Sequence, residues 1–227
     1  MEITKIYNQD SRFLREITNN SVDFVITSPP FNIRHKYMSY HDSLDYDDFD
    51  DMCSTVIKSI SRVLIDDGVF IVDIADIIVM ENQIIYGAEF IKEKACSAGL
   101  EFLGSFPYIA IEGSDTKMKS CISRDDGDKR FHSLCEQILV FGKRLTQCDV
   151  VDNLHINYSY MYSNLKDSAF WPDELVEDLL TPFTWKDKVL LDPFMGSGTI
   201  GRMVIEKGGS FIGYDIDQKT LKKYKWM

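Results

Sequence analysis

Runs of β-forming residues recur along this chain with helical patterns between most of them, and that alternation limits the fold more than any other feature. Strand-like runs lie at 2–7, 22–28, 68–74, 100–109, 135–142, 188–194 and 210–216. Several are bounded by Gly, Asp or Pro. Helical spacing is clearest at 45–65, where Tyr46, Phe49, Cys53, Val56, Ile57, Ile60, Val63 and Leu64 share one face. Further helices are predicted near 11–18, 81–98, 172–184, 198–207 and 217–225. Such alternation implies an α/β protein, a mainly parallel sheet with helices on both faces. The exception is 100–109 and 135–142, which have no obvious helix between them and predict an antiparallel pairing. Residues 110–134 and 144–169 read as irregular inserts, the second with Tyr158, Tyr160 and Tyr162 alternating. No repeat or low-complexity linker marks a boundary, so residues 1–227 are expected to form a single domain.

A net charge of −11 argues against broad, non-specific nucleic-acid binding. Local basic patches remain available. One is Lys117, Lys119, Arg124, Lys129 and Arg130; the other, Lys219, Lys222, Lys223 and Lys225, reads as a solvated face. No apolar run approaches the ~18 residues of a membrane span. The opening MEITKIYNQD lacks the basic and apolar regions of a signal peptide, so a cytoplasmic protein is expected. Cys53, Cys96, Cys121, Cys135 and Cys148 are odd in number and contain no C-x-x-C pair, which fits reduced, structural thiols. His35, His41, His132 and His155 show no ligand spacing, and no metal is expected. The acidic run DYDDFDD reads as the first turn of a helix, where carboxylates meet exposed N–H groups.

Two stretches carry chemistry. In 188-KVLLDPFMGSGTIGRM-203 an apolar strand ends at Asp192, and a turn with Gly196 and Gly198 leads into a helix near Thr199. Ligands of open α/β sheets bind beyond the carboxyl ends of strands, where such turns lie. A phosphate loop would need a lysine after Gly198, and none follows. Asp192 suits a cationic amine instead. A further strand, 210-SFIGYDID-217, ends in acids: Asp215 is the candidate for gripping ribose hydroxyls, and Asp217 reads as a helix cap. The other stretch is 22-VDFVITSPPFNI-33. Its prolines have fixed φ and no N–H, so ladder pairing stops there. The Pro29 carbonyl and the Ser28 hydroxyl become two acceptors suited to an exocyclic NH₂, and Phe31 offers a face for stacking.

Together these stretches resemble the amino-group DNA methyltransferases that use S-adenosylmethionine. TSPPF matches their catalytic motif, [DNS]-P-P-[YFW], at Ser28, Pro29, Pro30 and Phe31. DPFMGSGT matches their cofactor motif, with Asp192, Phe194, Gly196, Ser197, Gly198 and Thr199 as cofactor contacts. The catalytic motif comes first, which resembles the β class. The segment 6–33 looks like the family's entry segment, implying that Asp10, with Ser11 beside it, reaches the cofactor's adenine. The segment 170-FWPDELVEDLLTPF-183 is similar to the helix that flanks the cofactor's methionine end, at Phe170, Pro172 and Glu174.

The resemblance covers nearly the whole chain. It implies a Rossmann-like class I methyltransferase fold, circularly permuted to begin at the third sheet strand. The sheet would have seven strands, mostly parallel with one antiparallel. It also implies S-adenosylmethionine as cofactor, double-stranded DNA as substrate and a flipped target base. Ser28 at the first motif position resembles cytosine-N4 enzymes more than adenine-N6 enzymes, which mostly carry Asp. Cytosine N4 is therefore the expected target and adenine N6 the alternative. No cysteine follows a proline, which excludes cytosine-C5 chemistry. Serine is a poor base, so the proton released on methylation needs another route, which the sequence does not show. The target-recognition inserts near 110–134 and 144–169, about 25 residues each, suit a short site, a dimer whose partner completes the DNA clamp, or a fused or separate specificity partner. Relatives of the resembled β class often dimerise, so a homodimer is expected, and a cognate restriction enzyme is a further candidate partner. A methyltransferase acting on RNA or a protein amide, and a catalytically idle cofactor-binding module, stay open as alternatives.

Overall fold

A computed structural model of the chain describes residues 3–32, 37–80, 83–112, 122–124, 131–133, 135–145, 149–154, 159–162 and 171–226. In chain order the elements are β1 (Thr4–Tyr7), β2 (Val22–Thr27), α1 (Tyr46–Val63), β3 (Leu64–Ala75), β4 (Ile77–Val79), β5 (Ile84–Tyr86), α2 (Gly87–Ser97), β6 (Glu101–Glu112), β7 (Ile122–Arg124), β8 (Phe131–Ser133), β9 (Cys135–Gly142), α3 (Asp149–Asn153), β10 (Ser159–Tyr162), α4 (Asp173–Leu180), β11 (Val189–Asp192), α5 (Thr199–Glu206), β12 (Ser210–Tyr214) and α6 (Gln218–Lys223).

All seven expected runs form strands of one sheet, in the order β1-β12-β11-β2-β3-β9-β6-β10. Every neighbouring pair is parallel except those of β9, which runs antiparallel to both β3 and β6. The expected antiparallel pairing is thus present, and β10 adds an eighth strand at the edge. That strand lies in the second insert. The alternating tyrosines there carry the period of two that marks a strand.

The central strands are apolar on both faces because helices cover both. Along β3, Phe70 and Val72 join one core cluster while Val69 and Ile71 join the other. The same alternation runs through Val25 and Ile26, Leu139 and Ile138, and Leu191 and Leu190. Helices α1 and α2 close the first face through Phe49, Val56, Ile60 and Ile91. Helices α4, α5 and α6 close the second through Leu175, Leu179, Val204 and Leu221. The acidic opening of α1 behaves as a cap: the Asp45 carboxylate accepts the Asp48 N–H, and Asp47 and Asp48 occupy the first turn. Among the described residues no helix is long and apolar enough to cross a membrane.

Three local expectations are corrected. Residues 11–18 form successive turns, not a helix, and Leu14 is buried with φ of 42°. Their carbonyls are satisfied from α1 instead. The Arg62 guanidinium donates to the carbonyls of Phe13 (3.1 Å), Leu14 (2.9 Å) and Ile17 (3.1 Å), and to Asn19 Oδ1 (2.6 Å). Ser59 Oγ donates to the Arg12 carbonyl. The helix expected over 81–98 begins only at Gly87, because 77–79 and 84–86 pair as an antiparallel hairpin. A side chain at Gly87 would strike the Ala75 carbonyl, so a glycine stands where the hairpin turns into α2. The insert at 110–134 is not wholly irregular: β6 extends to Glu112, and β7 pairs with β8.

Hydrogen bonds to a charged group are each worth about 1.5–3 kcal/mol. Arg62→Ala is expected to cost about 3 kcal/mol of stability by urea denaturation, with Arg62→Lys recovering less than half, since one ammonium cannot span carbonyls on both sides.

Candidate active site

The sheet has one point where consecutive connections diverge. From β11 the chain passes through α5 on one face to β12; from β2 it passes through α1 on the other face to β3. The carboxyl ends of β11 and β2 therefore open a crevice, the usual ligand position in such sheets. A cavity of about 490 Å³ lies there. Its walls follow the strand ends: Asp10, Ser11 and Arg12 after β1, Ser28 and Pro30 after β2, Phe194 and Gly196 after β11, and Asp215 to Asp217 after β12.

Of the residues predicted from sequence, the cavity gathers Asp10, Ser11, Ser28, Pro30, Phe194, Gly196 and Asp215. Pro29 is buried beneath it against Cys53, Val56 and Phe70. Phe31 is half-buried and packs on the first core. Asn32 holds this loop: it takes φ of 57°, donates from Nδ2 to the Leu44 carbonyl and accepts the Leu44 N–H. Asp192 does not line the cavity. It lies 3% exposed under the crevice, accepting Thr27 Oγ1 at 2.6 Å and the Phe194 N–H at 3.0 Å. Ser197, Gly198 and Thr199 likewise sit outside the lining. Pro172 caps α4 without a side-chain bond, Glu174 is exposed, and Phe170 lies outside the described residues.

The glycine turn has a local cause. Gly196 and Gly198 take φ of 49° and 72°, a region that strains other residues. The Gly196 N–H donates to Asp215 Oδ2 at 2.9 Å, which ties the turn to the end of β12. A side chain on Gly198 would collide with the Trp226 indole, whose Nε1 donates to the Ser197 carbonyl at 2.9 Å.

The predicted cap is also present, with a second duty. Asp217 accepts the N–H groups of Lys219 and Thr220 at the start of α6. Its carboxylate also receives the Ser39 N–H and hydroxyl, which fastens the segment bearing Tyr37, Met38 and Tyr40 across the cavity. Burial raises the Asp217 carboxyl, and these donors outweigh it and hold the group below the usual range. Burial likewise raises Asp10, but its bonds to Arg12 hold it low. Asp215, more enclosed, is pushed up by burial. Four aspartates line the cavity (Asp10, Asp48, Asp215, Asp217) against Arg12 and Lys223, so the field favours a cationic ligand. The lysines of the tail are exposed, and only Lys223 reaches the rim. The other basic cluster has only Arg124 in a described strand, with the rest outside the described residues.

Sequence reasoning missed Asp73. It stands on β3 beside the catalytic-type loop, 1% exposed. Ser28 Oγ donates to its Oδ2 at 3.3 Å, and Trp171 Nε1 donates to the same oxygen at 2.8 Å. Burial pushes this carboxyl up to about 6. The sequence signal was present but silent: an acidic residue inside the run GVFIVDI.

Burial pushes Asp192 up to about 7, far above an ordinary carboxyl near 3.9. The folded state therefore binds this proton where the unfolded state does not. The stability so conferred is fully present below about pH 4 and is lost as pH rises to about 7. Asp192→Asn keeps an acceptor for Thr27 and Phe194 but carries no charge. Its stability relative to the parent, measured by urea denaturation, is expected to improve steadily between pH 4.5 and 7.5.

Comparison with known proteins places the chain. The N6/N4 family model described as a DNA methylase matches residues 22–225. The chain is 26% identical over 236 residues to the Type II methyltransferase M.MwoI of Methanothermobacter wolfeii, covering 93% of this chain and 34% of that protein. It thus spans about a third of that relative's length. Its fold is similar to the cytosine-N4-specific PvuII DNA methyltransferase, with a TM-score of 0.68 at 18% identity, covering 100% of this chain and 86% of that one. It is also similar to TTHA0409 of Thermus thermophilus complexed with S-adenosyl-L-methionine, with a TM-score of 0.66 at 20% identity, covering 100% and 92%. These likenesses confirm the expected class I methyltransferase fold, and the match of the family model over 22–225 makes this chain a member of the N6/N4 DNA methylase family.

Proposed function

We propose that the chain is a site-specific DNA methyltransferase that methylates the exocyclic amine of a flipped base, cytosine N4, with S-adenosylmethionine as donor. The observation that carries this reading is the hydrogen bond from Ser28, in the cavity wall, to the buried Asp73 behind it. An aspartate in the first motif position could itself take a proton; a serine needs a carboxylate behind it, and Asp73 is that carboxylate.

The cavity fits the cofactor on its donor set. Four aspartates suit a ligand bearing a sulfonium and an ammonium, and Asp215 at the end of β12 suits ribose hydroxyls. In this reading Asp10 and Ser11 hold the adenine end. Phe194, Gly196, Ser197, Gly198 and Thr199 shape the turn, and Phe170, Pro172 and Glu174 flank the methionine end. Asp192 braces the turn from below through Thr27 Oγ1 and the Phe194 N–H. When bound, S-adenosylmethionine supplies an electrophilic methyl group. Ser28 Oγ and the Pro29 carbonyl accept the two amine hydrogens and aim the nitrogen, while Phe31 and Pro30 bound the base. As nitrogen gains the methyl group, its proton moves to Ser28 Oγ, and the Ser28 hydroxyl proton passes to Asp73 Oδ2.

Residues 1–227 act in this reading as one catalytic domain, with target recognition in the inserts near 110–134 and 144–169. Their shortness favours a second copy or a specificity partner completing the DNA clamp.

The test is to incubate the protein and labelled cofactor with unmethylated duplex DNA and to identify the methylated nucleoside by mass spectrometry. N4-methylcytosine is expected. N6-methyladenine alone would refute the base assignment, and label appearing only in RNA or protein would refute the DNA reading. Ser28→Ala and Asp73→Asn are each expected to lower single-turnover transfer by about 10²–10⁴-fold, the usual span for a proton-transfer group, with cofactor binding retained by calorimetry.

A further inference from the structure

The bonds to Asp73 leave one atom unexplained. Its Oδ2 receives Ser28 and Trp171, yet its Oδ1 is buried with no hydrogen-bond donor among the described residues. An orphaned buried carboxylate oxygen is costly. The neighbouring strand supplies an answer. Asp73 pairs with Ile138 and Ala75 with Glu136, so Asp73 and Glu136 are diagonal neighbours across the β3–β9 ladder. Side chains alternate along each strand, and Ile71 and Ile138 belong to the same core face. Asp73 and Glu136 therefore point to that same face, with their carboxyls turned toward one another.

We propose that Glu136 is a positioning residue for methyl transfer: its carboxyl carries a proton, donates it in a hydrogen bond to Asp73 Oδ1, and so holds Asp73 as the anion that orients Ser28. The inference rests on the relay reading above, in which Asp73 receives a proton through Ser28. Asp73 is buried and Glu136 is half-buried beside it; two facing carboxyls with one so enclosed do not both ionise, so one holds a proton. The charge belongs on Asp73, whose Oδ2 already has two donors. Burial and the facing Asp73 charge push Glu136 well above the ordinary range. The groups facing Asp73 are Ser28 from the loop after β2, Glu136 from β9, the Trp171 indole from the segment before α4, and the Ile74 backbone N–H. Glu136 is the one charged or chargeable partner among these.

With its three side-chain donors in place, Asp73 pulls the Ser28 hydroxyl hydrogen toward itself, and the lone pairs of Ser28 Oγ face the cavity. During transfer Glu136 keeps its own proton. The amine proton goes to Ser28 Oγ, the Ser28 proton goes to Asp73 Oδ2, and the pair, then doubly protonated, returns one proton to solvent.

The experiment compares the parent protein with Glu136→Gln, Glu136→Leu and Asp73→Asn in single-turnover methylation of unmethylated duplex DNA from pH 5.5 to 9. It is paired with infrared spectra of the protonated-carboxyl band without DNA. Glu136→Gln keeps an N–H donor, so its rate is expected within about threefold of the parent, with an unmoved acid limb. Glu136→Leu bares Oδ1 and makes Asp73 hold protons more tightly. Its acid limb is expected to move up by about one unit, a loss of about tenfold near pH 6 that recovers by pH 9. The Asp192 carboxyl, pushed up to about 7, contributes its own band, so the spectra are read as the difference between parent and Glu136→Gln. That difference is expected to show a protonated-carboxyl band at pH 7.5 that is present only in the parent.

A limb that moves down in Glu136→Leu means that Glu136 is charged, and it overturns the proposal. So does an unmoved limb, equal impairment of both Glu136 variants at every pH, or a parent-minus-Glu136→Gln difference spectrum without a protonated-carboxyl band. The two readings fail separately. An Asp73→Asn protein of undiminished rate removes the relay itself. An inactive Asp73→Asn with silent Glu136 variants removes only the role of Glu136.

Discussion

Much of this molecule depends on a single buried hydrogen bond, from Thr27 Oγ1 to Asp192 Oδ1 at 2.6 Å. It joins the last residues of β2 and β11, the two strands whose connections part to opposite faces of the sheet. The serine of one motif and the glycine turn of the other follow within a few residues on either side. Their relative position is thus set by a bond too deep for solvent to compete with. The cost is a carboxyl held in apolar surroundings, eased by the Phe194 N–H on the same oxygen.

The sheet was legible because burial on both faces leaves a strong mark. A strand packed by helices on each side reads as a near-continuous apolar run, as 22–27, 68–72 and 138–141 do. The failures share a cause as well. At 11–18 local residues suit a helix, but Arg62, some fifty positions later, supplies the donors that hold the turns. No local pattern announces a distant guanidinium. At 77–86 a short hairpin was absorbed into the helix that follows it, since three-residue strands carry little periodicity.

The site divides along the same line. Ser28, Gly196 and Asp215 were readable because backbone constraints fix them: two prolines, a left-handed turn and a strand end. Asp73 and Glu136 were not, because a lone acid in an apolar run has no spacing to betray a partner on another strand. Trp171 and Trp226 escaped for the same reason. Each acts through an indole N–H reaching a residue far away in sequence, Asp73 in one case and the Ser197 carbonyl in the other.

The place of β1 in the sheet has a consequence for how the protein comes into being. Its partner is β12, with Thr4 opposite Phe211 and Tyr7 opposite Tyr214. Asn8 bonds the Asp215 carbonyl across the same interval of 207 positions. In the sheet, β1 thus has no neighbour until β12, some 207 positions later, has been made. Closing so long an interval is slow, and contacts of that reach form late. Asp10, which follows β1, cannot take its place in the cavity before then. The central strands and their helices can be built beforehand, but the cavity gains its Asp10 wall only after β12 is in place.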